Sequence, residues 1–452
     1  MTRYMDQRGR LILAAFCVMM FVCWPGVETA RSQDAFPLKD GDTWVMVGDS
    51  ITAQHLHSNY LEAYCYARFP KWTFRFRNSG VGGDTIPRTL ARFDWDVTPW
   101  KPTVVSVELG MNDQGPFTAG AYITNMSLLT DRIVHIGARP VFLTSSPLNN
   151  GVAITNPPGT SNNNLDNFAT ALRAFAAEQK APFADQFHVL VNVWAGNKPI
   201  EKIHRLAEDI RNAVKDNALP GREQLMQWLE VWAKSEMQGR GASLGGDPVH
   251  PGPAGQLTMC AALLQELKAP GLVSKATLDN TGKVGELIQC QVTNSVVGKE
   301  GGLSFDRLDE CLPLPIPDEA RGALLVYPSL AELSQWILAV TGLKAGQYQV
   351  NIDGVNVASV TADELSKGWN MGTLTKGAVA DQCRHILQLV SIKESCVSQW
   401  RGQSRAWAQT PSNSLRANLD QLGKQVLEAD AKIREAAQPK SHHFSITPQN
   451  KL

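Results

Sequence analysis

Between Gly41 and about Ala269, short apolar runs alternate with longer amphipathic segments. Thr43–Val47, Phe74–Asn78, Val104–Glu108, Pro140–Ser145 and Phe183–Phe187 have the length and apolar density of strands. Thr52–Arg68, Tyr122–Ile136 and Asp166–Gln179 carry helical periodicity, the last setting Phe168, Leu172, Phe175 and Ala176 on one face. Strands alternating with helices at this spacing predict a parallel sheet covered on both faces. Val104–Glu108, nearly continuous in apolar character, fits a strand buried on both sides. Sheets of this kind bind ligands beyond the carboxyl ends of their strands, so chemistry is to be sought in the loops that follow them.

Two departures interrupt the pattern. Asn149 to Asn164 is a long loop rich in Asn, Pro and Gly, and Lys202–Lys215 and Glu223–Met237 read as amphipathic helices that either roof the site or extend the core. After Pro270 the style changes. Trp336–Thr341, Gln347–Asp353 and Val355–Thr361 are expected strands, with Tyr348, Val350 and Ile352 on one face and a hairpin turn at Asp353-Gly354. Thr361 followed three residues later by Glu364 has the form of a capping box. Ser412–Ala437 is a long helix with Leu415, Leu419, Leu422, Val426 and Ile433 along one stripe, ended by Pro439. The expected divisions are a leader over 1–30 (its end as late as 35), a catalytic domain over 36–270, a β-rich region over 271–375, a helical region over 376–440 and a disordered tail over 441–452. The region after Pro270 is either a carbohydrate-binding accessory or a stabilising extension.

The leader follows from Arg3, Arg8 and Arg10 ahead of the apolar run Leu11 to Trp24, which Pro25 and Gly26 break. At about 14 residues the run is short for a bilayer span and suits a secretory signal peptide. The expectation is therefore an exported protein, periplasmic or extracellular, with no stable membrane span after cleavage. Lys+Arg and Asp+Glu are both 43, so no whole-chain field favours nucleic acid. Cys65, Cys260, Cys290, Cys311, Cys383 and Cys396 lie beyond the leader. Export permits disulfides, with Cys290–Cys311 and Cys383–Cys396 as local pairs, and buried free thiols are the alternative. No Cys-x-x-Cys or His-rich cluster suggests a metal, and no cofactor is implied.

Four blocks at expected strand ends carry candidate chemistry. Gly48-Asp49-Ser50-Ile51-Thr52 sets a serine at a helix N-terminus, where N–H groups and the positive dipole end favour negative charge. No Gly-x-Ser-x-Gly elbow surrounds Ser50. Asn78-Ser79-Gly80-Val81-Gly82-Gly83-Asp84-Thr85 offers glycines whose backbone can approach a ligand closely. Gly110-Met111-Asn112-Asp113 can aim a neutral amide donor at a developing oxyanion. In Asp247-Pro248-Val249-His250-Pro251, a carboxylate three residues before an imidazole can fix its tautomer and leave the other nitrogen to accept a serine proton. Taken singly, each block has a plainer account: a helix N-cap, a flexible turn, an Asx turn, a surface histidine. His55 and His57 are expected at solvent-facing helix positions, Asp113 as a brace of the Asn112 loop, and Trp95 and Trp100 in core packing. His204, His442 and His443 need no role.

In this order, the four blocks over roughly residues 42 to 269 resemble the SGNH hydrolases, the GDSL-like esterase/lipase family. The resemblance implies an α/β fold, flavodoxin-like, three-layer α/β/α with a five-stranded parallel sheet, here followed by a C-terminal β-rich region and long helix. It implies Ser50, Asp247 and His250 as a triad, and an oxyanion hole from the Ser50 N–H, Gly83 and Asn112. Gly-Asp-Ser-Ile stands where the namesake has Gly-Asp-Ser-Leu, and the adjacency of Gly82 and Gly83 makes the oxyanion glycine a choice, made for the one before Asp-Thr. The implied activity is ester hydrolysis through an acyl-serine, with a small-molecule or polysaccharide ester as substrate. Removal of small acyl groups, acetyl above all, from carbohydrates is the first expectation. A lipase or simple esterase, a sugar O-acyltransferase, and a carbohydrate-binding protein with an inactive site are the alternatives. Oligomeric state is not readable.

Overall fold

The computed structural model describes residues 36–148, 161–196, 246–298 and 301–449, with isolated positions at 209, 210, 212, 222, 225 and 226. β1 (Thr43–Gly48) and β3 (Val104–Glu108) are buried at every position, as central strands covered on both faces must be. β2 (Arg75–Gly80) pairs with one edge of β1, and β3 pairs with the other. β4 (Arg139–Leu143) and the short β5 (Phe183–Ala184) continue outward from β3, all in parallel. The order β2-β1-β3-β4-β5 reverses direction between β1 and β3. That switch point opens a crevice at the strand carboxyl ends, and the segments carrying Ser50 and Asn112 leave from its two sides.

Helices cover both faces. α1 (Ser50–Ala53) and α2 (His57–Arg68) follow β1, with α3 (Ile86–Asp96) after β2 and α4 (Ala119–His135) after β3. α5 (Ser161–Glu178) buries Phe168, Leu172, Phe175 and Ala176 against α4 and the sheet, on the face that their spacing predicts. α6 (Gln186–Gly196) and α7 (Pro253–Glu266) complete the α/β unit.

Three expected elements differ. Residues 161–164, expected in the Asn/Pro/Gly-rich loop, instead form the first turn of α5. The helix expected over Thr52–Arg68 is broken between α1 and α2, where His55 takes a positive φ of 58°. The strand expected over Phe183–Phe187 stops at Ala184, because Asp185 accepts from the His188 N–H and turns the chain into α6. The amphipathic helices expected at Lys202–Lys215 and Glu223–Met237 fall almost wholly outside the described residues, as do the 149–160 part of the Asn/Pro/Gly-rich loop, the leader and His204.

Beyond Pro270 come two more sheets. β6 (Leu272–Asp279), β7 (Val284–Ile288), β10 (Gln335–Thr341) and β13 (Trp369–Asn370) form the first, in the order β13-β10-β6-β7. β8 (Cys290–Val297), β9 (Leu303–Asp309), β11 (Gln347–Ile352), β12 (Val355–Thr361) and β14 (Ser441–Pro448) form the second, in the order β12-β11-β14-β9-β8. Asp353 and Gly354 both have positive φ (50° and 79°), the turn that the Asp-Gly signal predicts. Thr361 and Glu364 make the capping box at the start of α8 (Ala362–Lys367).

β14 corrects the expected disordered tail. His442, Phe444 and Ile446 alternate inward, and the strand pairs antiparallel with both β9 and β11. Ser-His-His-Phe-Ser-Ile-Thr-Pro carries only two large apolar residues. Its order comes from partners far away in sequence, which local patterning does not register. His442 and His443 thereby gain carboxylate partners, Asp353 at 2.6 Å and Asp306 at 2.7 Å.

α9 (Ala378–Gln409) and α10 (Asn413–Ala436) form an antiparallel hairpin against α2 and β2. One hydrophobic core runs from Trp44 and Met46 under the parallel sheet, through α2 and α7, to Phe305, Trp336 and Phe444 in the C-terminal sheets. All six cysteines beyond the leader are free thiols, so neither local disulfide forms. Among the described residues, no helix is long and apolar enough to cross a membrane.

Candidate active site

The first block forms because Asp49 caps α1, its carboxylate accepting from the Ile51 N–H at 2.9 Å. Gly48 is required here: a Cβ would lie 2.0 Å from Thr52 Oγ1. Burial pushes the Asp49 carboxyl up to about 7, opposed by the Ile51 N–H and helped by the nearby Glu108 charge.

His250 lies 200 residues downstream, yet its Nε2 is 2.7 Å from Ser50 Oγ. Its Nδ1 is 2.9 Å from Asp247 Oδ2. The other carboxylate oxygen, Oδ1, accepts the backbone N–H groups of Val249 (2.8 Å) and His250 (2.7 Å), and the Asp247 N–H closes the turn on the His250 carbonyl at 3.1 Å. Slight burial works to raise the Asp247 pKa, but the hydrogen bonds from His250 and Val249 hold it below the usual carboxylate range. An ionised Asp247 selects the tautomer with hydrogen on Nδ1, leaving Nε2 to accept from Ser50.

The second and third blocks are tied to the first and to each other. The Val81 N–H donates to the Gly48 carbonyl at 3.1 Å, fixing the loop after β2 beside the nucleophile turn. Asn112 Nδ2 donates to the Asp84 carbonyl at 3.0 Å, and the Ile86 N–H donates to Asp113 Oδ1 at 3.0 Å. Asp113 thus braces the Asn112 loop against the start of α3. Gly83 has φ +71°, a left-handed conformation that favours glycine. The Asp84 side chain accepts from Thr89 Oγ1 (2.6 Å) and Arg92 Nε (2.9 Å), anchoring the turn that carries Gly83. The Asn112 amide carries a second hydrogen besides the one on Asp84.

Sequence reasoning missed what lies beneath. His57, expected at a solvent-facing position, is fully buried. Its Nε2 is 2.8 Å from Glu108 Oε2 and its Nδ1 is 2.9 Å from Gln256 Oε1. Burial works to discharge His57, but the Glu108 carboxylate outweighs it and raises the imidazole pKa. Gln186 Nε2 donates to Glu108 Oε1 at 2.9 Å, and Gln256 Nε2 donates to the Pro251 carbonyl at 3.2 Å, beside His250. The one available signal was Glu108, a charge closing an otherwise apolar buried strand. His55 is partly buried and faces α9, 3.7 Å from Glu394. Trp95 and Trp100 are half-buried under α9, with Trp100 against Trp400 at 4.0 Å between ring centroids. No group of three or more His, Cys, Asp or Glu among the described residues is placed to hold a metal ion.

A serine hydroxyl, an imidazole and a carboxylate in this sequence can pass a proton along one line, next to a helix start. The model of the GDSL-like lipase/acylhydrolase family matches residues 46–257. No curated protein matches the sequence. Among solved structures, "BT4096 a gut microbial diltiazem-metabolizing enzyme" aligns over 92% of this chain and 100% of its own, at 20% identity and a TM-score of 0.70. Axe2, an acetylxylan esterase from Geobacillus stearothermophilus, aligns over 52% of this chain and 96% of its own, at 18% identity and a TM-score of 0.36. LAE5, an alpha/beta hydrolase from the metagenome of Lake Arreo, Spain, aligns over 52% and 98%, at 18% and 0.36.

Proposed function

We propose that the chain, whose residues 46–257 match the model of the GDSL-like lipase/acylhydrolase family, is a serine ester hydrolase with Ser50 as its nucleophile. The observation that carries this is the 2.7 Å contact between His250 Nε2 and Ser50 Oγ, with Asp247 behind the ring. His250 takes the hydroxyl proton as Oγ attacks the ester carbonyl, and Asp247 stabilises the imidazolium. The oxyanion is received by the N–H groups of Ser50 and Gly83 and by the Asn112 amide. The tetrahedral intermediate collapses, the C–O bond to the alcohol breaks, and His250 gives its proton to that alcohol. Water then attacks the acyl-serine, losing its proton to His250, and the carboxylic acid leaves as Ser50 recovers the proton.

The finer proposal is a small acyl group, acetyl above all, on a carbohydrate alcohol, acted on by an exported enzyme. The rim supports it. The side chains of His250 and Asp247 are 29% and 51% exposed, which leaves room for a bulky, polar alcohol. Around the oxyanion loops, Gly82, Gly83 and Gly115 are exposed and bare and Gln114 is half-buried and polar, a poor lining for a long acyl chain. The arginine-flanked apolar run at the start of the chain supports export. A comparison of kcat/KM on acetylated oligosaccharides, p-nitrophenyl acetate and p-nitrophenyl palmitate tests the substrate class. The acetylated sugars are expected to lead and the palmitate to trail. Preference for the palmitate refutes it.

A further inference from the structure

Ester hydrolysis as described leaves unused a chain of buried charges that starts in the C-terminal hairpin. Arg401, on α9, has only 13% of its side chain exposed. Its Nε and Nη2 grip both oxygens of Asp96, at 2.6 and 2.8 Å, and its Nη1 donates to the Gly80 carbonyl at 3.0 Å. Asp96 is fully buried at the end of α3 and also holds Arg92 and the Ser79 hydroxyl, the latter at 2.7 Å. Arg92 in turn donates to the Ser79 carbonyl at 2.8 Å and to Asp84 Oδ2 at 2.9 Å. The Asp84 carbonyl is where Asn112 rests.

The loop between these anchors has little packing of its own. A Cβ on Gly82 would meet nothing within 4 Å, and one on Gly83 would meet only the tip of Arg88, at 3.7 Å. Within the loop, the Val81 N–H on the Gly48 carbonyl and Arg88 Nη1 on the Gly83 carbonyl, at 2.8 Å, are the holds, so the position of the Gly83 N–H also depends on how the loop's two ends are fixed. Arg401 holds the first end directly, at Gly80, and the second through Asp96, Arg92 and Asp84. We propose that Arg401 is a positioning residue for the oxyanion hole, which makes the α9–α10 hairpin a working part of the ester-hydrolysing site. The inference rests on the acyl-serine reading of Ser50, Gly83 and Asn112. Burial works to raise the Asp96 pKa, but the hydrogen bonds and charge of Arg401, then the charge of Arg92, hold it below the usual carboxylate range.

The test uses the full chain, p-nitrophenyl acetate, and a cycle of Arg401→Ala, Asn112→Ala and their double variant, with thermal melts to count folded enzyme. Arg401→Ala is expected to lower kcat per folded molecule by about tenfold or more while changing KM by less than about twofold, because the lost alignment acts on the transition state. Arg401→Lys is expected to recover part of the loss. In the Asn112→Ala background the Arg401→Ala loss is expected to shrink to about threefold or less, since both act on one donor set. The exposed Arg405→Ala on the same helix is the control, expected to match wild type. An unchanged kcat in Arg401→Ala, an equal loss with and without Asn112, or an equal loss in Arg405→Ala overturns the inference. If Arg401→Ala does not fold, Arg401→Lys and Arg401→Gln pass through the same cycle under the same criteria. Activity surviving in Ser50→Ala overturns the acyl-serine reading itself. An inactive Ser50→Ala beside an unimpaired Arg401→Ala overturns the Arg401 inference alone.

Discussion

Phe444→Ala separates an ordered terminal strand from a loose tail. Phe444 is fully buried in the middle of β14, stacked on Phe305 at 5.2 Å between centroids and set edge-on to Trp336 at 6.1 Å. Truncating a buried phenylalanine to alanine costs about 3–5 kcal/mol, from lost transfer energy and the cavity left behind. A domain is commonly stable by only about 5–15 kcal/mol, so this is a large share of the whole. The neighbouring His443 points the other way. Its side chain is 56% exposed and its partner Asp306 is also partly solvated, so His443→Ala is expected to cost about 1 kcal/mol or less. Urea unfolding of both variants, followed by tryptophan fluorescence and far-UV circular dichroism, reads the difference as a shift in midpoint. Adjacent residues with opposite outcomes are the signature of a strand buried on one face. A Phe444→Ala midpoint within experimental error of wild type refutes the placement of β14.

Three further outcomes follow from the site and its supports. Asn112→Ala is expected to lower kcat on p-nitrophenyl acetate by about 10²–10³ with the fold retained, as loss of one oxyanion donor does; steady-state kinetics with a melting curve checks it. Burial raises the folded pKa of Asp49 to about 7 from the ordinary carboxyl value of 3.8, so the folded state binds the extra proton between those values and its stabilising contribution is lost as pH rises through about 7. Asp49→Asn is therefore expected to gain stability relative to wild type between pH 4 and 8, by up to about 4 kcal/mol, and urea midpoints that stay parallel across that range contradict it. Lys393 is fully buried with Glu62 at 2.7 Å, so Lys393→Ala strands a buried carboxylate and is expected to cost about 3–5 kcal/mol in urea unfolding.

The parallel sheet was legible because its strands are locally apolar and its helices locally amphipathic. Val104–Glu108 and the inward face of Phe168, Leu172, Phe175 and Ala176 needed no tertiary information. The Asp353-Gly354 turn and the Thr361–Glu364 box were legible for the same reason, since both are fixed by bonds between near neighbours. The four chemical blocks could be ordered along the chain, but the approach of His250 to Ser50 across 200 residues is a property of the fold. What escaped was polar and non-local. α9 buries Lys393, Glu394 and Ser404 along the stripe where Val390, Val397 and Trp400 also lie, so its inner face does not read as apolar. His57 is held inward by Glu108 and Gln256, neither of which lies near it in sequence. β14 is a strand because β9 and β11 leave a vacancy between them that its alternation fits.

The central claim is that Ser50 carries the acyl group. Rapid acid quench of wild-type enzyme during turnover of p-nitrophenyl acetate, followed by intact-mass and peptide mass spectrometry, tests it directly. The account predicts one acetyl adduct on the peptide bearing Ser50, absent from Ser50→Ala, which is also inactive. An acetyl adduct on another residue, or undiminished turnover by Ser50→Ala, contradicts it.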